Sequence, residues 1–467
     1  MIDLQAPLDL DDPEAADFLA GIQGNILRGH GRDFSAVLLL RVAGDAAAAR
    51  QWIAGFAAEK VTSAGAARRQ ARAWRTEAGP GEPFAMVALA AEGYRRLGVP
   101  DEQLPTPDDR FNPPFGARYF RAGMKGQATI VPRHANDPDV ASWESPYQQT
   151  IHAMVLLADD DETRLARSVA EVRATTAGVF DVLTSEPGAR LTQDFPRGTL
   201  TIEHFGFQDG VSQPLMVKPD LENEIARRGS EHWDPQAPLS LALLTEPGGG
   251  HGSFLVFRKL EQDVRGFWDA LRYLARSTGI DAEDLGAMAV GRRRDGTPLV
   301  PTTTVDPAAD PNDFHYDLDP VGLRCPLHAH IRKTNPRGDV PRYIRPGTGD
   351  FERARRVVRR GITYGARPDL TDPAGGELPS SGVGLLFMCF QSNIDQFMIQ
   401  QDGADSNHFV RRHVGVDAVI GQSPDPFPQT WNGAVPFTMA NFVTMRGGEY
   451  FFAPSIGFLT GLAGDRS

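Results

Sequence analysis

Short apolar runs of strand-forming residues recur along this chain, and most are followed by a segment with helical spacing. In the first half, residues 36–42, 84–89, 151–157 and 179–183 read as strands, with helices expected at 45–59, 90–97 and 160–176. In the second half, strands are expected at 253–257, 384–390 and 449–452, with helices at 261–277 and from residue 393. Each half then reads strand–helix–strand followed by strand–helix–strand. That is the ferredoxin-like pattern used twice. It predicts an α+β fold of two ferredoxin-like halves, with antiparallel sheets packed together and peripheral helices. The expected division is a loop-rich arm at 1–34, a first half at 35–200 and a second half at 201–467 that carries the site.

Two stretches break the rhythm. Residues 100–114 are a Pro/Asp-rich loop. Residues 281–360 form a long insert without clear periodicity, and inserts of that length are usually functional or disordered. The glycine-rich segment 21–31 follows no strand, so it reads as a structured loop rather than a phosphate cradle. A formal charge of −12 argues against nonspecific binding to nucleic acid or anionic membrane, although Lys and Arg cluster at 292–294 and 353–360. The two cysteines, Cys325 and Cys389, provide neither a disulfide framework nor a Cys-x-x-Cys metal site, so a cytoplasmic protein is expected. No export signal is visible, and no apolar run approaches the ~18 residues of a spanning helix.

Five segments carry the chemistry. The first, 325–337, is Cys-Pro-Leu-His-Ala-His-Ile-Arg-Lys-Thr-Asn-Pro-Arg. It offers a histidine among small and apolar neighbours, followed by a cation cluster. A neutral imidazole is a good haem-iron ligand, and arginine or lysine holds carboxylates such as haem propionates. In the second, 206–214, glycines bracket Asp209 in a turn ending at Pro214. Such an aspartate either closes its own turn or is presented over a ligand that the glycines allow close. The third, 355–365, sets arginines among valines and a Gly-Ile-x-Tyr-Gly turn, as a surface cluster or as inward-pointing cations. The fourth, 384–394, is apolar on both faces, which fits plain core or a cofactor wall. In the fifth, 414–422, Asp417 stands alone in an apolar stretch. A buried carboxylate needs a partner, and a histidine N–H is a natural one.

Taken in order, these motifs resemble dye-decolorizing peroxidases, and the segments around 22–31 and 446–452 resemble the long-chain branch of that family. The resemblance spans most of residues 20–460. It implies one haem b per chain in a double ferredoxin-like fold of the dimeric α+β barrel type. It also implies a peroxidase that uses hydrogen peroxide to oxidise dyes, phenolics and similar one-electron donors through a ferryl intermediate. By the same resemblance, His330 is the proximal iron ligand and Asp417 the carboxylate behind it, with Asp395 as runner-up. Asp209 is the distal acid–base residue and Arg359 the distal arginine. Leu385 and Phe387 line the peroxide side, and Arg332 belongs with the cofactor-binding residues. His328 is an extra histidine beside the expected ligand, and Thr363 stands where the family often has proline.

Peroxide cleavage needs a proton moved from the near oxygen to the far one, which Asp209 can do as base and then acid. Arg359 would stabilise the charge developing on the leaving oxygen. An aspartate base predicts an acidic optimum. Bulky dyes do not fit a pocket sized for peroxide, so electrons are expected to leave by a surface tyrosine or tryptophan; Tyr364 is the named candidate, with a packed core tyrosine as the alternative reading. Two other readings stand beside this one: a haem-handling protein of the same fold with incidental peroxidase activity, and a non-haem scaffold or cargo module. The chain ends soon after its last expected strand, so a shell-addressing tail is not expected. Peroxide and an organic reductant are the expected partners, with no nucleic acid or membrane, while oligomeric state is not readable.

Overall fold

The computed structural model describes residues 2–464 apart from 78–80, 109–110, 112–113, 132–135, 302–311, 344–346, 348, 368–376 and 410. Parts of the expected 100–114 loop and of the 281–360 insert therefore lie outside the described residues.

The first half follows the predicted rhythm. Strand β1 (Phe34–Val42) leads into helix α1 (Ala46–Glu59), which starts where the Asp45 side chain accepts the Ala47 amide. Strands β2 (Phe84–Ala90) and β3 (Ala153–Asp159) are followed by helix α2 (Glu162–Thr176) and strand β4 (Phe180–Ala189). The second half has β5 (His251–Gln262), α3 (Val264–Thr278), β6 (Ile362–Tyr364), β7 (Gly384–Gln391), α4 (Asp395–Asp405) and β8 (Val443–Ala453). The expected helix at 261–277 begins later, because β5 runs on to Gln262 and the Asp263 side chain caps α3 by accepting from Gly266.

Within each half the four strands lie in the order second, third, first, fourth, the ferredoxin-like arrangement. The halves join edge to edge into one sheet, β6-β7-β5-β8-β2-β3-β1-β4, through pairing of β8 with β2 at Phe451↔Ala90 and Phe452↔Leu89. At the opposite edges β6 meets β4, where Thr363 Oγ1 donates to the Ala189 carbonyl. The sheet thus curls back on itself, and Thr363 uses a hydroxyl at the seam. One apolar cluster runs through both halves, including Val37, Met86 and Val155 of the first and Phe254, Phe390 and Phe451 of the second.

The N-terminal arm is more than a loop. It carries a short helix, Ala15–Gly21, and then buried Gln23, whose amide donates to Val87 O (2.8 Å) and Pro454 O (2.7 Å) and accepts from Val87 N (2.9 Å). It pins β2 to the end of β8. The insert also holds helices, at Ala282–Val290, His330–Thr334, Asp339–Tyr343 and Gly349–Ala354. They are too short to show helical periodicity. Gly116–Ile130, also unforeseen, contains three glycines and bends at Gly123, which has φ 68°. No helix among the described residues is long and apolar enough to cross a membrane.

Candidate active site

A cavity of about 260 Å³ lies against one face of the second half's sheet. Leu260 and Gln262 of β5, Leu385 and Phe387 of β7, and Val443 and Met445 of β8 form one wall, since alternate residues of a strand share a face. His330, Ile331 and Thr334 of the short helix form another, and the loop 207–214 closes a third side with Asp209. Arg359 also faces the cavity. Six of the residues singled out from sequence thus fall at one place: His330, Asp209, Arg359, Leu385 and Phe387 on the wall, with Asp417 directly behind His330.

His330 Nδ1 is 2.9 Å from Asp417 Oδ2. Asp417 is fully buried, and its Oδ1 accepts the amides of Val419 (2.8 Å) and Ile420 (3.0 Å). Burial pushes the carboxyl upward, but His330 and these amides more than offset it and hold Asp417 below the usual carboxylate range. An ionised Asp417 accepts the Nδ1 proton, which leaves the Nε2 lone pair for a ligand. His328 is elsewhere: it is buried against Trp431 with ring centres 4.6 Å apart, and burial with nearby Lys333 lowers it to about 3. Asp395 accepts the amides of Phe115 and Gly116, both at 3.0 Å, and does not bond His330.

On the facing side, Gly206 (φ 96°) and Gly210 (φ 71°) adopt backbone conformations that favour glycine and turn the chain around Asp209. Arg359 lies on a two-residue strand paired with β7, and its Nη2 donates to Ser212 O at 2.8 Å. The Asp209 loop and Arg359 therefore hold each other. Arg360 points the other way and donates from Nε to Asn25 O (2.8 Å), anchoring the N-terminal arm.

Two expectations are corrected. Arg332 does not line the cavity. It is fully buried, and its five N–H groups go to Asp339 (Nε, 2.7 Å; Nη2, 3.1 Å), Cys325 O (2.7 Å) and Asp319 (Oδ2, 3.3 Å; O, 2.9 Å). No donor is left for a cofactor carboxylate. Tyr364 is not a surface tyrosine: it is buried in β6 under Lys259, and burial pushes its phenol well above the ordinary range.

Besides Arg359, the cavity is lined by Arg258, Arg292, Arg337 and Arg356, and the last two lie over the Trp233 ring at 4.4 and 5.3 Å. Arg337 is buried, and its partners are neutral: Asn312 O (2.7 Å) and Oδ1 (2.8 Å), Phe314 O (3.1 Å) and Ser212 Oγ (3.0 Å). Arg356 donates to Asp234 O at 2.7 Å. Arg337 is the last residue of the motif containing His330, so sequence placed it near the site without revealing which arginine turned inward. Glu203 also lines the cavity, and burial raises its carboxyl, helped by the charge of Asp209. No motif had pointed to it. A buried guanidinium held by neutral acceptors, an imidazole with a free Nε2 and an apolar wall fit a carboxylate-bearing haem.

No family model matches the chain. It is 39% identical to the multifunctional dye peroxidase DyP2 of Amycolatopsis sp., over 96% of this chain and 97% of that protein. A solved DyP-type peroxidase from Anabaena sp. is 37% identical with a TM-score of 0.88, covering 98% of this chain and 99% of that one. A dye-decolorizing peroxidase solved in complex with 2,6-dimethoxyphenol is 27% identical with a TM-score of 0.72, covering 96% and 99%. The chain therefore belongs to the dye-decolorizing peroxidases, haem enzymes that use peroxide to oxidise a reductant.

Proposed function

We propose that this chain binds haem b in the cavity and uses hydrogen peroxide to oxidise dyes and phenolics, with His330 as the iron ligand. The observation that carries this reading is the His330–Asp417 pair: an imidazole on the cavity wall, with its far nitrogen bonded to a buried, ionised carboxylate. Asp417 orients the ring and raises its basicity. Arg337, through the Nε–H that its neutral partners leave over, and Arg356 would hold the propionates by charge-assisted hydrogen bonds. When bound, the cofactor supplies a redox-active iron that takes two oxidising equivalents from peroxide and passes them on singly. Asp209 takes the proton from the near oxygen of peroxide and returns it to the far one. Arg359, fixed by Ser212, stabilises negative charge on the departing oxygen. Leu385 and Phe387 keep that side apolar and small. A phenolic donor is supported by the relative solved with 2,6-dimethoxyphenol.

The test is the absorption spectrum of the haem-supplemented protein before and after a single equivalent of peroxide, beside His330→Ala. A Soret band that shifts with peroxide and is lost in the variant is expected. A wild-type protein without a Soret band refutes the cofactor and the roles built on it.

A further inference from the structure

We propose that Glu203 is a positioning residue that holds the Asp209 loop in register with the cavity wall. The inference rests on the reading of Asp209 as the acid–base group. Glu203 lies six residues before Asp209 and closes the turn between them with both its backbone and its side chain. Its amide donates to Phe207 O (3.0 Å), and its carbonyl accepts from Gly206 N (2.9 Å). Its carboxylate then spans the same turn: Oε2 accepts the Phe205 amide at 2.8 Å, and Oε1 accepts the Phe207 amide at 3.0 Å.

The carboxylate also reaches out of the turn. Gln262 Nε2, at the end of β5, donates to Glu203 Oε2 at 2.6 Å. The Gln262 backbone N–H in turn donates to Val383 O (2.9 Å), just before β7. Glu203 thus joins the loop that presents Asp209 to the two strands that present Leu260, Leu385 and Phe387. The gap between that loop and those strands is where peroxide would sit, and a small misplacement of an acid–base group costs rate steeply.

The chemistry explains why a carboxylate is needed. Both of its arms are acceptors, and three N–H donors converge on them. An amide has one acceptor arm, so Glu203→Gln sets an NH2 against a backbone N–H and loses at least one of these bonds. Phe205 and Phe207 also pack on Phe267 and Trp268, with ring centres at 4.4 Å for Phe205–Phe267 and 6.2 Å for Phe207–Trp268. The loop should therefore stay folded in the variant while its tip shifts.

The experiment uses the haem-loaded full chain and compares wild type with Glu203→Gln, Gln262→Leu and Asp209→Asn. Stopped-flow mixing separates the reaction with peroxide from the later oxidation of a small phenol. Hydrogen exchange reads the amides of Phe205 and Phe207. In Glu203→Gln the peroxide step should slow by about tenfold to a hundredfold, the donor steps should stay at wild-type rates, and both amides should exchange faster. Gln262→Leu should move the peroxide step in the same direction by less. A wild-type peroxide rate in Glu203→Gln overturns the proposal, as does equal slowing of every step. If that variant does not load haem, a wild-type rate in Gln262→Leu overturns it instead. Asp209→Asn separates the two readings: a wild-type rate there removes the role of Asp209 and this inference with it. A slow Asp209→Asn beside a normal Glu203→Gln removes only the role of Glu203.

Discussion

Replacing Asp417 with Asn changes one atom and forces a choice on three hydrogen bonds. The carboxylate accepts from His330 Nδ1 on Oδ2 and from the Val419 and Ile420 amides on Oδ1. The new side chain has a single acceptor oxygen. If that oxygen stays on the two amides, its NH2 faces His330 Nδ1, and the imidazole must shift its proton to Nε2, the nitrogen iron needs. If the amide turns over, His330 keeps its tautomer, but two buried N–H groups lose their acceptor at about 1–3 kcal/mol each. The first arrangement costs the fold less, so the loss should fall on the cofactor. Outer partners of metal-bound histidines typically contribute about 10–100-fold in affinity, or roughly 1.4–2.7 kcal/mol. Haem titrated into apoprotein, and the rate of haem transfer to excess apomyoglobin, measure this directly. Haem affinity in Asp417→Asn within about threefold of wild type would refute the tautomer argument. The pH dependence has a definite sign. Asp417 is held below the usual carboxylate range, so its contribution to stability is present above about pH 4 and is lost as pH falls through its depressed value. The gap in thermal stability between wild type and variant should therefore persist from neutrality down to about pH 4 and close only below it.

Four further outcomes are expected. Arg359→Ala should keep its haem spectrum but react with peroxide about 100–1,000-fold more slowly, and a rapid-mixing rate near wild type would remove Arg359 from the mechanism. Arg337→Leu should weaken haem retention by about tenfold or more, the value of a charge-assisted hydrogen bond, and unchanged transfer to apomyoglobin would show that the propionates lie elsewhere. Tyr364→Phe removes a buried hydroxyl that has no hydrogen-bond partner among the described residues. It should leave stability equal or higher by up to about 1 kcal/mol and leave turnover of a bulky dye unchanged, whereas slower turnover would restore an electron-exit role. Burial raises Asp405 to about 8, so wild type should lose stability as pH rises from the ordinary carboxylate range through that value. Asp405→Asn should melt higher than wild type at pH 8, with the difference shrinking toward pH 4, and parallel melting curves across that range would contradict the burial argument.

Most strands of the sheet were legible because each is a run of apolar residues with a local signature, whereas the three-residue β6, at Ile362–Tyr364, was read as a turn. Residues 36–42, 84–89 and 384–390 all fall within strands of the structure. The helices at 64–77 and 116–130 were not foreseen: the first is built mainly of alanine and arginine with a single large apolar residue, and the second is interrupted by three glycines. The motifs marked the neighbourhood of the site, since Asp209, His330 and Arg359 stand out by their local companions. Glu203 carries no such mark, because its significance is the set of donors that converge on it.

Choosing among neighbouring residues is where sequence stopped. Arg332 and Arg337 lie in one motif, yet the first is consumed by Asp319 and Asp339 while the second opens onto the cavity. Arg359 and Arg360 are adjacent, yet one faces the cavity and the other anchors a segment more than 300 residues earlier. The amino-acid pattern by itself determined most strand positions of the sheet, the doubled α+β arrangement and the short list of chemically able residues, because propensity and alternation act over a few positions. Which of those residues meet, and around what space, was decided by tertiary structure, because a buried cation or carboxylate is stabilised only by partners that folding brings from far along the chain.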